Sequence, residues 1–197
     1  MSNILKNLTD KLEKLPGIGK KSAVKMTYHI VSMSKEEADD LVEAITLVKE
    51  NIKKCKLCGY YSDGDLCEIC KSPARDRSKL MIVSTVRDIE AFENTSYNGL
   101  YFIITTPEVK PKNDIGISMM DVDKFADRLR DTDVEEVILA IPNHSDADVT
   151  AGYLASIAKQ MGKHVTRISH GIPLGGLVEY FDKETLNLSI VDRREVD

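Results

Sequence analysis

The chain has 197 residues, enough for one large domain or two small ones. Its composition, 42% hydrophobic and 30% charged, is that of a globular protein, and no apolar run reaches the length of a membrane span. The net charge of −5 is uneven: residues 1–79 contain 15 lysines and arginines against 12 acids, whereas residues 80–197 contain 12 against 20. A basic end on an acidic chain suits binding to a polyanion, although lysines that merely coat a solvated helix have the same composition.

Two short helices joined by a glycine-containing hairpin are predicted at the N-terminus. Apolar residues recur at helical spacing on both sides of the hairpin. Before it they are Ile4, Leu5, Leu8, Leu12 and Leu15. The hairpin itself, 15–23, reads Leu-Pro-Gly-Ile-Gly-Lys-Lys-Ser-Ala, and two glycines around an apolar residue are typical of a helix-hairpin-helix. We expect Gly17 and Gly19 to allow a bend that a Cβ would block.

This hairpin is predicted to bind phosphate. Free backbone N–H groups and the helix dipole at the start of the second helix favour an anion. Lys20, Lys21 and Lys25 lie where their ammonium groups can reach neighbouring phosphates, and such contacts bind a nucleic-acid backbone without reading its base sequence. The alternative is a plain helical hairpin in which Gly17 and Gly19 only close a loop. The coincidence of glycines, lysines and a helix start favours phosphate binding.

A third helix is predicted from Ser34 onward. Ser34 and Glu37 form the pattern of a capping box, and apolar residues then recur three and four positions apart. These apolar positions are Ala38, Leu41, Val42, Ile45, Val48 and Ile52. We expect this face to pack on the two hairpin helices, and the opposite, acidic face to be solvated.

The four cysteines of the chain lie in one stretch with the pattern C-x2-C, eight residues, C-x2-C. They are Cys55, Cys58, Cys67 and Cys70. This spacing is typical of four thiolates around one structural Zn²⁺, which leaves no open coordination position for catalysis. Two disulfides or a redox pair are the alternatives, but the N-terminal sequence has no features of a secretory signal peptide and a redox motif is usually a single pair. We therefore expect structural zinc and a cytoplasmic location.

Beyond the cysteines, short apolar runs alternate with helical patterns. The predicted strands are 80–86, 100–105, 136–141 and 164–169, and the predicted helices are 122–130, 148–161 and 182–190. This alternation predicts a mainly parallel sheet covered on both faces, with ligand sites at the carboxyl ends of the strands. After the third predicted strand, Asp146 and Asp148 either hold Mg²⁺ or cap the following helix.

The order of these parts resembles the RecR family of bacterial recombination mediators along nearly the whole chain. The residues that carry the resemblance are Leu15–Ala23, the four cysteines, Arg75–Asp76, Glu136–Ala140, Thr150–Ala151, Tyr153, Arg167–Gly176, Glu179–Tyr180, Asp182 and Thr185–Leu186. The resemblance implies a multi-part α/β chain. Its parts are a helical helix-hairpin-helix region in 1–54, a small four-cysteine zinc finger in 55–79, a Toprim-like α/β domain in 80–175, and a C-terminal segment in 176–197 that makes assembly contacts.

Several positions depart from that pattern. Ser84 stands where a catalytic Toprim domain has a glutamate, Asp146-Ala-Asp148 replaces Glu-Gly-Glu, and Phe102 replaces a histidine. The segment Thr105–Ile115 also differs from the glycine-rich loop of the family. Without a carboxylate at position 84, a two-metal site loses a ligand, so binding and scaffolding are expected rather than catalysis, and a role for Mg²⁺ is doubtful.

The resemblance implies a non-enzymatic protein of DNA repair and recombination. Such a protein forms a dimeric or tetrameric ring or clamp on single-stranded, duplex or gapped DNA in the bacterial cytoplasm, associated with the nucleoid. It works with RecO, and in many bacteria RecF, to load recombinase. Two other functions stay open: an Mg²⁺-dependent nuclease or primase-like enzyme that uses Asp146 and Asp148, and a zinc-stabilised adaptor that does not bind nucleic acid.

Overall fold

A computed structural model describes residues 2–104, 119–130, 133–141, 145–169, 172–193 and 195, without the side chains of 119–120 and 145–148. The chain forms two compact units, Met1–Ile52 and Lys53–Asp197. The predicted loop Thr105–Ile115 lies outside the described residues. Among the helices that are described, none is both long and apolar enough to cross a bilayer.

Three helices make up the first unit, where the sequence predicts them. α1 (Asn3–Leu12) begins after Ser2, whose Oγ accepts a hydrogen bond from the Leu5 N–H at 3.3 Å. α2 (Lys20–Ser32) follows the hairpin. α3 (Lys35–Asn51) begins at the predicted capping box, in which Ser34 Oγ accepts from the Glu37 N–H and the Glu37 carboxylate accepts from the Ser34 N–H. These reciprocal bonds satisfy N–H groups that a helix start leaves unpaired.

Helices α1 and α2 meet at a buried contact between small and polar side chains. Ala23 and Thr27 are fully buried and Thr9 nearly so, and the Oγ1 atoms of the two threonines lie 2.8 Å apart. Ile4, at the start of the predicted stripe, is 83% exposed. Small side chains at a helix contact allow a close approach, and the three leucines of the stripe that lie in α1 are half-buried.

The expectation that α3 packs its apolar face on the hairpin helices is wrong. No residue of α3 is buried, and Leu41, Val42, Ile45 and Val48 each expose between 42% and 63% of their surface. Helical periodicity predicts that one face is apolar, but it does not predict what covers that face. The described residues therefore leave an apolar face of α3 largely uncovered.

The second unit begins with the zinc finger and continues as an α/β fold. In the finger, β1 (Lys53–Lys54) and β2 (Tyr61–Ser62) pair antiparallel, and α4 (Glu68–Lys71) makes one turn. The remaining elements are β3 (Asp76–Val83), α5 (Val86–Phe92), β4 (Gly99–Ile103), α6 (Met119–Arg130), β5 (Glu136–Ala140), α7 (Ser145–Gln160), β6 (His164–Arg167), a 3-10 turn (Val178–Tyr180) and α8 (Lys183–Val191). Asp182 caps α8 as predicted, since its carboxylate accepts from the N–H groups of Glu184 and Thr185 at 3.0 Å.

The four strands β4-β3-β5-β6, in that order, form a sheet in which all described pairings are parallel. This confirms the parallel, Toprim-like α/β architecture expected from the alternation of elements. β3 lies inside the sheet, and its Val83 pairs with Ile103 on one side and Ala140 on the other. Because such a strand is buried on both faces, it reads as a continuous apolar run in the sequence.

Each face of the sheet has its own cover. Phe125 and Leu129 of α6 and Leu154 of α7 pack on one face, where Phe102 also lies, with its ring centre 5.8 Å from that of Phe125. Phe102 is 4% exposed, so the residue that replaces the family's histidine is part of the core. The other face is covered by α5 and by two side chains of the zinc finger, Tyr60 and Ile69.

The helices α4 and α5 were not predicted from the sequence, and several boundaries of the other elements differ. The strand predicted at 80–86 ends at Val83, and α5 follows it directly. The capping box of α5, formed by Thr85 and Asp88, is the local signal that identifies this helix. α7 begins at Ser145, three residues before the predicted start, so Asp146 and Asp148 lie in its first turn.

Candidate zinc centre and nucleic-acid interface

The four cysteines form one compact cluster of thiols. Their ligand atoms all lie within 4.8 Å of one another, each cysteine is at most 3% exposed, and none forms a disulfide. The Sγ atoms of Cys58 and Cys67 are 3.6 Å apart. Tetrahedral zinc with bonds of about 2.3 Å to sulfur requires sulfurs about 3.8 Å apart, whereas a disulfide requires about 2.05 Å. The cluster therefore fits a structural Zn²⁺ with four thiolates, and the disulfide alternative is wrong.

Two local turns position the ligands. In the knuckle that contains the first two cysteines, the Gly59 N–H donates to the Cys55 carbonyl at 3.0 Å and the Tyr60 N–H donates to Cys58 Sγ at 3.4 Å. Gly59 has φ of +81°, a conformation that residues with a Cβ rarely adopt. Cys67 precedes α4 and Cys70 lies within it, so one helical turn brings the second pair together.

Protonation of the thiols is governed by their contacts with one another. The hydrogen bond between Cys58 and Cys67 raises the pKa of the Cys58 thiol and lowers the pKa of the Cys67 thiol, because one shared proton favours one thiol beside one thiolate. A bound zinc ion stabilises all four groups as thiolates and releases their protons. Zinc binding at this centre is therefore expected to weaken as the pH falls.

The hairpin between α1 and α2 is closed by a tight turn. The Ile18 N–H donates to the Leu15 carbonyl at 3.1 Å, with Pro16 and Gly17 at the two central positions. Gly17 has φ of +80°, as the second central residue of a type II turn requires, and proline is common at the first. The expectation that a Cβ would block this bend is confirmed for Gly17.

The same expectation is wrong for Gly19. Its φ is −83°, which any residue adopts, and a Cβ built there would have no atom of the described residues within 4 Å. Gly19 is the N-cap of α2 and supplies no side-chain hydrogen bond, so the first N–H groups of α2 have no side-chain cap. Lys20, Lys21 and Lys25 are all exposed on α2. An open, uncapped helix start with nearby lysines is a site suited to phosphate.

Ser84 lies at the carboxyl end of β3, next to the capped start of α5. The Ser84 hydroxyl is buried and has no hydrogen-bond partner among the described residues, and the Asp88 carboxylate accepts from the N–H groups of Ser84 and Thr85 at 3.1 and 2.7 Å. The nearest acid in sequence thus serves as a helix cap. Side-chain positions of Asp146 and Asp148 lie outside the described residues, so the choice between Mg²⁺ ligand and helix cap stays open.

Two protein-family models match consecutive parts of the chain. Residues 5–49 match the family model described as RecR, helix-hairpin-helix, and thus span most of α1, the hairpin, α2 and most of α3. Residues 52–72 match the model described as the four-cysteine zinc finger domain of RecR, and contain all four clustered cysteines. The hairpin and the metal centre, the two sites whose geometry is most complete, are therefore the two parts that these models describe.

Proposed function

Because the chain belongs to the RecR family, we propose that its role in DNA repair and recombination is that of a non-enzymatic DNA clamp, which holds DNA through the hairpin of the first unit. The observation that carries this proposal is the open start of α2. Gly19 gives it neither a side-chain cap nor a Cβ, so a phosphate oxygen can approach the N–H groups directly. Lys20, Lys21 and Lys25 supply cations beside it.

Such contacts bind the sugar-phosphate backbone and not the bases. Binding is therefore expected to be independent of sequence, on single-stranded, duplex or gapped DNA alike, and to weaken steeply with added salt. A single hairpin makes few contacts, so several hairpins acting together on one DNA molecule would raise the affinity greatly. This consideration favours an oligomer, as a ring or clamp requires.

Two uncovered apolar surfaces support self-association. One is the face of α3 that contains Leu41, Val42, Ile45 and Val48. The other lies in the C-terminal segment 176–197, whose exposed apolar side chains are Leu177, Val178, Tyr180, Ile190 and Val191. Apolar surface of this kind usually marks a protein contact. We assign both surfaces to contacts between copies of this chain in a dimeric or tetrameric ring.

The acidic part of the chain is proposed to receive partner proteins. Residues 80–197 carry an excess of eight acidic side chains, which repels DNA and attracts a basic protein surface. Family membership suggests RecO-type and RecF-type proteins, with which the clamp would help to load recombinase on single-stranded gaps in the bacterial cytoplasm.

The absence of catalysis is also a proposal. A two-metal Toprim site needs a carboxylate at the end of its first strand, and the hydroxyl of Ser84 occupies that position. Asp88, four residues later, has its carboxylate hydrogen-bonded to backbone N–H groups at the start of α5. Mg²⁺-dependent cleavage or synthesis that is lost on Asp148→Ala replacement would contradict the proposal and favour the enzyme.

The direct test compares lysines of equal charge at different places. Binding of fluorescent single-stranded and gapped DNA is measured across a salt series for the unaltered chain, for the single variants Lys21→Glu and Lys25→Glu, and for the charge-matched variant Lys159→Glu, which alters an exposed residue of α7. The hairpin variants are each expected to lose affinity, and the slope of log K against log salt to fall by about one for each phosphate contact removed. Lys159→Glu should bind like the unaltered chain.

Three results would refute parts of the proposal. If the unaltered chain binds no DNA even at low ionic strength, the adaptor function is correct. If the hairpin and α7 variants weaken binding equally, net charge rather than the hairpin is responsible. A monomeric mass in light scattering, both with and without gapped DNA, would exclude the ring, and the same measurement with a purified RecO-type protein tests the partner.

A further inference from the structure

The zinc finger covers an edge of the sheet. Among the described strands, β4 is the first in the order β4-β3-β5-β6, so one side of it has no described neighbouring strand. The Ile104 N–H donates to the Val83 carbonyl of β3 at 2.9 Å, whereas the Ile103 N–H points the other way and donates to the Cys58 carbonyl of the zinc knuckle at 2.9 Å. A residue that binds the metal through its sulfur thus also accepts a hydrogen bond from the sheet edge.

Further contacts join the same two parts. A Cβ built on Gly59 would lie 3.5 Å from Ile103 Cβ, so the knuckle backbone is in van der Waals range of the strand. Tyr60 and Ile69 of the finger pack in the cluster beneath β3 and β4. The Arg77 guanidinium of β3 lies 3.5 Å from the Cys70 carbonyl. Two of the four ligand residues therefore contact the sheet through their backbone carbonyls.

Of the two edges of the sheet, the β4 edge would pair more readily with a strand from another chain if it were uncovered. β4 reads Gly-Leu-Tyr-Phe-Ile, without a charged residue, and an open edge of this kind is a template for pairing with another strand. At the opposite edge, β6 has only four residues, and His164 and Arg167 stand at its ends. Short, charged edge strands resist pairing by themselves. The chain thus places its zinc finger on the edge that lacks such protection.

We propose that zinc occupancy controls whether the edge of β4 is covered. Small zinc modules fold only with their metal, because the loop buries too little apolar surface to fold alone. Loss of zinc would release the Cys58 carbonyl together with Tyr60 and Ile69, and β4 would become available to a further strand. This inference rests on the metal centre and not on DNA binding, so it can fail while the proposed clamp function stands.

Amide hydrogen exchange on the full chain tests the coupling. Exchange at Ile103 and at Ile138 of the interior strand β5 is compared for the zinc-loaded protein and for the protein stripped with a chelator. Removal of zinc is expected to speed exchange at Ile103 by roughly tenfold or more and to leave Ile138 nearly unchanged. Unchanged exchange at Ile103 would overturn the proposal, and so would equal acceleration at both positions, because the metal would then hold the whole sheet.

Coupling of this kind is reciprocal, so weakening the edge contact should loosen the metal. Ile103→Pro removes the N–H that donates to Cys58, and proline is tolerated on an edge strand where the N–H points outward. Ile103→Val keeps that N–H and is the matched control. Transfer of zinc to a coloured chelator should be roughly fivefold faster for the proline variant, as expected for one lost hydrogen bond. Equal transfer rates for the two variants would contradict the proposal.

Discussion

Replacing Thr27 with valine tests how the helix-hairpin-helix is held together. Thr9 and Thr27 are the buried polar pair between α1 and α2, with their Oγ1 atoms 2.8 Å apart. Each hydroxyl also lies 2.9 Å from a carbonyl of its own helix, that of Leu5 for Thr9 and that of Ala23 for Thr27. Because the hairpin follows α1 and precedes α2, this pair is expected to hold the DNA site in shape.

The stability that Thr27→Val should cost follows from counting the hydroxyl protons of the two threonines. Two hydroxyl hydrogens cannot fill three contacts, so when one threonine donates to the other, only one helix carbonyl receives a hydroxyl bond. Thr27→Val removes the contact between the helices and leaves Thr9 free to donate to the Leu5 carbonyl. The expected cost is one net hydrogen bond, about 1 kcal/mol. With Thr9→Val added, both hydroxyl bonds are lost, so by the same count the double variant should lose about the sum of the single variants.

Exchange of the α2 amides in the full chain is the appropriate assay, because a chain of two units need not unfold in one step. Thr27→Val should speed this exchange about fivefold, corresponding to about 1 kcal/mol. Thr46→Val is the matched control: on exposed α3, Thr46 makes the same bond to a carbonyl of its own helix, at 2.9 Å, and should change little. If Thr27→Val speeds exchange no more than Thr46→Val does, the pair does not hold the helices together.

Three further predictions concern the second unit. Cys67→Ser removes one of four zinc ligands, so metal analysis should find less than one zinc per chain and the knuckle amides should exchange freely. Gly99→Ala would place a Cβ 2.9 Å from the Lys79 carbonyl and should lower the free energy of unfolding by about 1–3 kcal/mol in denaturant titrations. Arg75 lowers the pKa of the Glu93 carboxyl through a direct hydrogen bond, so the carboxylate stabilises the fold at neutral pH, and this contribution is lost as the pH falls through that lowered value. Glu93→Gln should therefore cost about 2 kcal/mol at pH 7 and progressively less below pH 4.

The features predicted best from the sequence depend on residues that are close together in the chain. The cysteine spacing predicts the thiol cluster, because a knuckle and one helical turn bring each pair together. Ser34 and Glu37 predict the start of α3 for the same reason. α5 carries an equally local signal in Thr85 and Asp88, which is hidden by the apolar run that precedes it.

Contacts between helices were predicted less well. The apolar stripe of α1 is visible in the sequence, but the buried contact that Ala23, Thr9 and Thr27 form between α1 and α2 is not. Small and polar residues give no signal in a hydrophobic pattern, because their burial depends on the partner that they meet. The open surroundings of Gly19 are likewise a property of the folded hairpin, since glycine in a sequence does not show whether φ, space or a ligand requires it.

By itself, the sequence determined which segments become helices and strands, where a metal binds, and which end of the chain is basic, because propensity, spacing and charge act over a few neighbouring residues. Only the tertiary structure decided that the strand order is β4-β3-β5-β6, that Phe102 lies in the core, and that the carbonyl of Cys58 covers the outer edge of β4. These outcomes depend on residues that are far apart in the chain, and the fit between such surfaces arises only when the chain has folded.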